Sequence, residues 1–358
     1  MNKRRYRVVQ WGGGNIGPPA LRGVIEHPDL DLVGVYVYSD DKVGRDAGEL
    51  CGLDPVGIKA TRDIEEILAL KPDCVLYMAN WTAETIDVVC RLLESGANVV
   101  CSTGEFYYPA GMDPARRQRY EEACRRGGTS VHSTGSTSGF ITEAAAIAMT
   151  SMSHRLDLLT FEEYCEMSSR TSVEMVLGMF GGDPATDPFV AQPTHPAHSS
   201  FSLIADAMSV SFDEVVASHE VAVARRDVDI YAGTIKAGTV GGRRSETTGL
   251  RNGKPIMRTF QTHYITTDLE PAWELPTALC TWRLLIEGDA PLDVHIDFPV
   301  PPEDWWKTSP GYTANRPVNA VPVVCEAEPG IVSAVDLPQV IANFGGERSQ
   351  NPLVPTPG

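Results

Sequence analysis

The sequence predicts an α/β chain: an N-terminal doubly wound sheet of the Rossmann type, then an α+β region built on a large, mostly antiparallel sheet. Three observations carry this. Short apolar runs alternate with helical segments through the first 130 or so residues, the spacing of strand–helix–strand units. Several of these runs, such as DCVLYMA, are apolar almost throughout, as expected of parallel strands covered on both faces. Beyond about residue 150 the pattern changes to long period-two alternation, with a hairpin signal at Asn252-Gly253 between two such runs.

In order, Tyr6–Trp11 (YRVVQW) is the first strand, and it stops at GGGNIG. Gly12, Gly14 and Gly17 fall into G-x-G-x-x-G between a strand and a helix. The first permits the tight turn, the second lets backbone approach a pyrophosphate, and the third lets the helix pack on the strand. Asn15 and Ile16 lie inside the same turn. A diphosphate is expected on N–H groups at the start of the helix over residues 18–27, where Pro18 and Pro19 are tolerated. A purely structural glycine turn is the competing reading. Leu30–Val37 is the second strand, closed by Tyr38 and Ser39 rather than by a carboxylate. Ser39 and Lys42, with Arg45 nearby, suit the 2′-phosphate of NADP, while Asp40 would serve NAD; Lys42 and Arg45 as merely solvated charges also fit.

Thr61 is expected to open a helix (RDIEEILAL) that Lys71-Pro72 stops. Asp73–Ala79 is the next strand, Asn80–Thr82 its edge, and Ala83–Ser95 a helix ended by Gly96. Asn98–Ser102 is a strand, Asp113 caps a helix with Pro114 in its first turn, and Ser130–Ser133 is a further strand. Ligands of such sheets bind beyond the carboxyl ends of the strands, which puts Ala79, Asn80, Ser102, Thr103 and Gly104 among the cofactor contacts.

The loop TGSTSG then leads into an apolar helix, Phe140–Met152. Strands are expected within Leu156–Glu166, Val215–Ile230, Ile256–Thr267, Trp282–Glu287 and Leu292–Phe298, with helices near Ser172–Phe180 and Ser200–Val210. Thr313 is expected to cap a last, proline-interrupted helix that returns to the first domain. The domains are therefore 1–150 rejoined by 312–346, a substrate-binding and dimerisation domain 151–311, and a tail 347–358. A homodimer would cover the exposed face of the second sheet.

Composition excludes several classes. With 47 acidic and 30 basic residues the formal charge is −17, which disfavours nucleic acid. No window approaches the ~20 apolar residues of a membrane span, and Lys3-Arg4-Arg5 has no apolar segment behind it, so a cytoplasmic protein is expected. The eight cysteines form no C-x-x-C pair and read as reduced, mostly buried thiols. His195 and His198 stand in a proline-flanked loop with no carboxylate or cysteine beside them, so no metal site is expected.

The sharpest chemical candidate is Glu105, in CSTGEFYYPAG. It follows a strand end at the ligand edge and is followed by Phe106, Tyr107 and Tyr108. A glutamate in apolar surroundings has its pKa raised toward neutrality, and its charge can face a cationic intermediate. The competing reading is a loop carboxylate accepting backbone N–H bonds. Tyr164 and Glu166 could face a cleft from the second domain or serve as ordinary strand residues, and Ser136–Phe140 could meet the nicotinamide amide or only start a helix. His263 reads as a satisfied core or surface histidine.

The GGGNIG turn, the STG before Glu105, the GSTSGF loop and the late VNAVPVVCEAEPG together resemble the dihydrodipicolinate reductase superfamily. EFYYP and SVEMVLGMFGGDP resemble, more narrowly, its 2,4-diaminopentanoate dehydrogenase and native amine dehydrogenase branch. The resemblance spans about Tyr6 to Pro338. It implies reductive amination of a ketone or aldehyde with ammonia and NAD(P)H, and the reverse deamination. It makes Glu105 the amine-binding carboxylate, Phe140 and Tyr164 lining of an apolar substrate pocket, and the second-domain sheet a dimer contact. True dihydrodipicolinate reductases carry E-x-H-H-x-x-K-x-D-x-P-S-G-T; the matching EEYCEMSSRTSVEM has no histidine or lysine, which argues against a dicarboxylate substrate. Reduction of another imine, dihydrodipicolinate included, and a nucleotide sensor without turnover are the alternatives.

Overall fold

The computed structural model describes residues 4–82, 84–191 and 200–343. His195, His198 and the 347–358 tail lie outside the described residues. The chain forms two compact units, one from residues 1–109, 113–135 and 311–358, the other from 110–112 and 136–310.

The first unit is a seven-stranded parallel sheet. Its elements run β1 (Tyr6–Trp11), α1 (Gly17–Glu26), β2 (Leu30–Tyr36), α2 (Ala47–Leu50), β3 (Ala60–Thr61), α3 (Ile64–Ala69), β4 (Cys74–Tyr77), α4 (Thr85–Glu94), β5 (Asn98–Cys101), α5 (Pro114–Gly127) and β6 (Ser130–Ser133). A C-terminal strand, Gly330–Val332, pairs with β6, and the order across the sheet continues β5, β4, β1, β2, β3. Both faces are covered, so β4 and β6 are buried at every position. Thr61 does not open a helix: it sits in β3, and Asp63 caps α3 by accepting from the Glu65 amide at 2.8 Å.

Nor does Thr313 cap the last helix, which runs unbroken from Trp305 to Cys325 through Pro310, Pro317 and Pro322. An interior proline costs about 3 kcal/mol. Burial offsets this: Ala314, Val318, Val321 and Val324 pack into one core with Tyr6, Val8, Ala20 and Leu76.

The second unit opens with a π-helical segment, Thr137–Ala145, continued by α6 (Ala146–Thr150). The helix expected from Phe140 to Met152 thus starts earlier, and Ser138 and Gly139 inside it are non-helical. Ala146, Ile147 and Met149 pack with Phe161 and Leu284 of the second sheet, so the compact units divide at Gly135/Ser136 and not after residue 150.

The remaining elements are β7 (Leu156–Glu166), α7 (Val173–Met179), α8 (Pro188–Ala191), α9 (Ser200–Ala207), β8 (Glu214–Ala224), β9 (Val228–Ile230), β10 (Gly233–Ile235), β11 (Val240–Arg251), β12 (Lys254–Tyr264), β13 (Leu269–Glu270), β14 (Cys280–Gly288) and β15 (Leu292–Asp297). Seven of these strands form one sheet in the order β13-β8-β11-β12-β7-β14-β15, antiparallel except where β12 meets β7. Asn252 and Gly253, both with positive φ, make the β11–β12 hairpin turn. Cys165 and Cys280 stand opposite each other on β7 and β14 and form a disulfide, against the expectation that all eight cysteines are free thiols. Strand register, which the sequence does not print, made the pair. No helix among the described residues is long and apolar enough to cross a membrane.

Candidate functional site

The glycine turn is built by its neighbours. Gly12 has φ +95°, and a Cβ there would stand 2.9 Å from Met78 O; a Cβ on Gly17 would stand 2.6 Å from Gly12 O. Side chains are excluded at both positions by backbone. Gly14 is different: a Cβ there would meet nothing within 4 Å. The middle glycine therefore borders open space, the room a pyrophosphate needs.

Donors for that anion come from the loop rather than the helix. Pro18 and Pro19 have no N–H, and the Gly17 amide donates to Gly14 O at 3.0 Å. The amides of Gly13, Gly14 and Ile16 are what the turn offers. Ile16 packs its side chain into the core, and Asn15 is exposed on the loop. A cavity of about 300 Å³ beside the turn is lined by Gln10, Gly12, Gly13, Val37 and Lys42 among others. In it Gln10 Oε1 is buried without a partner among the described residues, a spare acceptor next to the turn. These features fit a dinucleotide.

Lys42 Nζ donates to Gly13 O at 2.8 Å, so the lysine braces the glycine loop. Ser39 is exposed and precedes a short turn at Asp40–Lys42. Asp40 is ion-paired with Arg62, a cation that sequence spacing did not bring into view because it lies 22 residues away. Ala79 N lies 3.1 Å from where a Gly12 Cβ would be, so Ala79 closes on the turn, whereas Asn80 is exposed beyond it.

Glu105 sits in a short 3₁₀ turn, Gly104–Phe106, just past β5. Phe106 anchors that turn. Its ring is fully buried against Tyr120 (4.8 Å between centroids) and Trp81 (5.5 Å), and its amide donates to Ser133 Oγ at 3.2 Å. Thr103 Oγ1 donates to Cys101 Sγ at 3.4 Å, and Tyr107 OH to Ser102 O at 3.5 Å. With its neighbour pinned, the Glu105 side chain is only 14% exposed and pairs with Arg116 at 3.1 Å. Burial raises its pKa, Arg116 opposes the rise, and Asp113 adds to it. Among the described residues, the hydrogen bonds to this carboxylate come from the Arg116 guanidinium and not from backbone amides. Turn, cavity and carboxylate all lie at the carboxyl edge of the parallel sheet, past β1, β4 and β5.

The second unit has its own cavity, about 740 Å³ and open to solvent. Ile141, Phe161, Phe201, Ile204, Trp282 and Leu284 make it apolar, and Thr142, Glu163, Ser200 and Gln261 give it polar points. Gln261 Nε2 donates to Glu163 Oε2 at 3.0 Å, and Trp282 Nε1 is buried without a partner among the described residues. The loop leading to the cavity is fixed by buried Glu143, whose Oε2 accepts from the Gly139 amide (2.6 Å) and from Thr142 Oγ1 (2.5 Å).

Tyr164 and Phe140 are not among the cavity's lining residues. On β7, Phe161 packs under α9, and strand alternation sends Tyr164 to the opposite face, where it packs with Trp273 and Leu275. Phe140 is 38% exposed. Glu166 accepts from the Ser168 amide at 2.8 Å. His263 is largely buried, and its pKa is lowered by burial.

The region EEYCEMSSRTSVEM lacks histidine and lysine, yet it does hold a half-buried cation, Arg170. Burial lowers its pKa, while Glu163 and Glu166 oppose that. Among the described residues no cluster of histidine, cysteine, aspartate and glutamate could hold a metal.

Two families match the chain: "Dihydrodipicolinate reductase, N-terminus" over residues 7–132, and "2,4-diaminopentanoate dehydrogenase C-terminal domain" over residues 196–351. An amine dehydrogenase of Streptomyces virginiae is 30% identical over 363 residues, covering 96% of this chain and 99% of that protein. A 4-hydroxy-tetrahydrodipicolinate reductase of a Synechocystis species is 32% identical over 63 residues, 18% of this chain and 23% of that one. The structure of an amine dehydrogenase from Mycobacterium smegmatis has the same fold, with a TM-score of 0.76 at 18% identity over 94% of this chain and 97% of that one.

Proposed function

The chain belongs to the amine dehydrogenase branch of the dihydrodipicolinate reductase-like superfamily and is an oxidoreductase, and on that premise we propose that it reductively aminates small ketones or aldehydes with ammonia and NAD(P)H, and runs the reverse deamination. The observation that carries the reading is Glu105: a nearly buried carboxylate at the carboxyl edge of the dinucleotide-type sheet, held by the buried Phe106 beside it.

Glycines 12, 14 and 17, with the loop amides of Gly13, Gly14 and Ile16, hold the diphosphate, and Ala79, Asn80 and Ser102–Gly104 border the cofactor. When bound, the dinucleotide supplies the hydride. Glu105 binds the ammonium-derived nitrogen and takes a proton as that nitrogen attacks the carbonyl carbon. It gives that proton to the hydroxyl of the addition product, which leaves as water, and its restored negative charge stabilises the iminium, whose carbon accepts hydride more readily than a neutral imine. Lys42 favours NADP over NAD.

The family's dimer arrangement is part of the proposal. On β8, Val215 packs on the helix-covered side and Val216, 45% exposed, lies on the other, the face a second copy would cover. The cytoplasm, which supplies reduced nicotinamide, is the assigned location. Dihydrodipicolinate reduction is disfavoured because the reductase relative of Synechocystis covers only 18% of the chain.

The test is oxidation of NADPH with ammonium and a panel of carbonyl compounds, for wild type and Glu105→Gln. Wild type is expected to turn over only with ammonium present. The variant should bind cofactor normally and lose about a hundredfold or more in rate. Undiminished turnover by Glu105→Gln would remove the mechanism.

A further inference from the structure

Glu105 already has a cationic partner within its own unit. Arg116 Nη1 donates to Oε1 at 3.1 Å and to Oε2 at 3.3 Å, reaching both carboxylate oxygens. The arginine is held in turn by the start of α5. Asp113 accepts from the Arg116 amide at 2.9 Å as the helix cap, and its carboxylate lies 4.0 Å from Arg116 Nε. Cap and guanidinium together fix the direction from which positive charge meets Glu105.

Other groups facing this carboxylate make its anionic form less favourable or leave it unchanged. Asp113, from α5, repels it. Tyr120, one turn beyond Arg116, is fully buried with its hydroxyl unpartnered among the described residues, and the Cys101 thiol, at the end of β5, is buried and pushed up by that burial. Both feel the charge of Glu105 as a penalty on their own ionisation, so both stay neutral near pH 7. Among the groups named here Arg116 is the sole cation.

We propose that Arg116 is a positioning residue for Glu105: its guanidinium aims the carboxylate, holds it as an anion in the resting enzyme, and yields part of it to the incoming ammonium. The proposal rests on the amine-binding reading of Glu105. It follows from arrangement and charge. Burial and Asp113 both favour the protonated carboxyl, and Arg116, bonded to both of its oxygens, opposes them. Because Arg116 is 51% exposed, it can swing aside without unfolding anything. It touches the carboxylate and not the reacting atoms.

The test separates position from chemistry. Protein labelled with ¹³C at the glutamate carboxyl is titrated by NMR without cofactor, with Glu105→Gln identifying the Glu105 signal, in wild type, Arg116→Ala and Arg116→Lys. Loss of the guanidinium should move the Glu105 midpoint up by about one pH unit, allowing for solvent screening of a half-exposed partner. Arg116→Lys should restore most of that shift. The acid limb of ammonia-dependent turnover should move by the same amount in the same variants. An unmoved midpoint in Arg116→Ala overturns the proposal while leaving the amine-binding reading in place. Undiminished turnover by Glu105→Gln overturns the reading itself, whatever the titration shows. Should Arg116→Ala melt well below wild type, Arg116→Gln replaces it in the same titration with the same expected shift.

Discussion

Lys42 shows how one side chain can have two jobs. Its place past β2 suits a 2′-phosphate, and the fold also gives it to Gly13 O at 2.8 Å. Removing it should loosen the glycine loop and so weaken every dinucleotide. If it also meets the 2′-phosphate, the loss is larger for NADPH. Lys42→Ala is therefore expected to raise the Kd for NADPH by roughly tenfold, about 1.4 kcal/mol, and that for NADH by less. Quenching of intrinsic fluorescence by each dinucleotide measures both, and equal losses would leave Lys42 as a brace alone. At this scale the sequence exposed Glu105 and hid Arg116. The glutamate announces itself by standing after a strand end among aromatics, whereas Arg116 is one of several arginines in ARRQRYEEACRR. Only the capped turn of α5 selects it from Arg117 and Arg119, which pair with Glu121 and Asp87 instead.

The element that carries the cofactor proposal is the β1–turn–α1 unit, and there sequence pattern and structure agree on the same three glycines for partly different reasons. Gly12 and Gly17 are required by backbone on the opposite side of the turn, while Gly14 keeps open space. Gly17→Ala puts a methyl 2.6 Å from Gly12 O and must push the loop open. The variant should keep its circular dichroism spectrum and lose dinucleotide affinity by roughly a hundredfold. Unchanged affinity would show that the cofactor does not sit on this turn. Pattern reading failed where burial overrides local preference. Three prolines between Ser309 and Val323 read as interruptions, yet the helix continues because Val318, Val321 and Val324 gain more from the core than the missing N–H groups cost. On β7 the alternation is plain in the sequence, but which face carries helices is not, and Tyr164 stands on the face opposite Phe161 and the cavity.

For the whole molecule, acid stability has a nameable contributor. His132 on β6 is buried, its Nδ1 bonded to Val332 O at 2.8 Å, which ties the C-terminal strand to the sheet. Burial lowers its pKa from 6.5 to about 4. The sign follows: between those values the unfolded chain binds a proton that the folded one refuses. The stability gained from the neutral ring is complete above pH 6.5 and is lost as pH falls toward 4, by roughly 3 kcal/mol in all. Thermal melts should show wild type losing Tm faster than His132→Gln across that interval, and parallel slopes would dismiss the histidine as the cause. Assembly is the second property of this scale. Sedimentation equilibrium is expected to give twice 38.8 kDa, and a 38.8 kDa species at micromolar concentration would remove the dimer from the proposal.

The sequence by itself determined the α/β class, the two-part chain, the glycine turn, the hairpin at Asn252-Gly253 and the prominence of Glu105. All of these are written in spacings of a few to a few dozen residues, where backbone sterics and periodicity act directly. Tertiary structure alone decided that Arg116 meets Glu105, that Cys165 faces Cys280, that Arg62 takes Asp40, and which side chains line the second unit's cavity. Each depends on register and packing between segments far apart in the chain, and no local pattern encodes them.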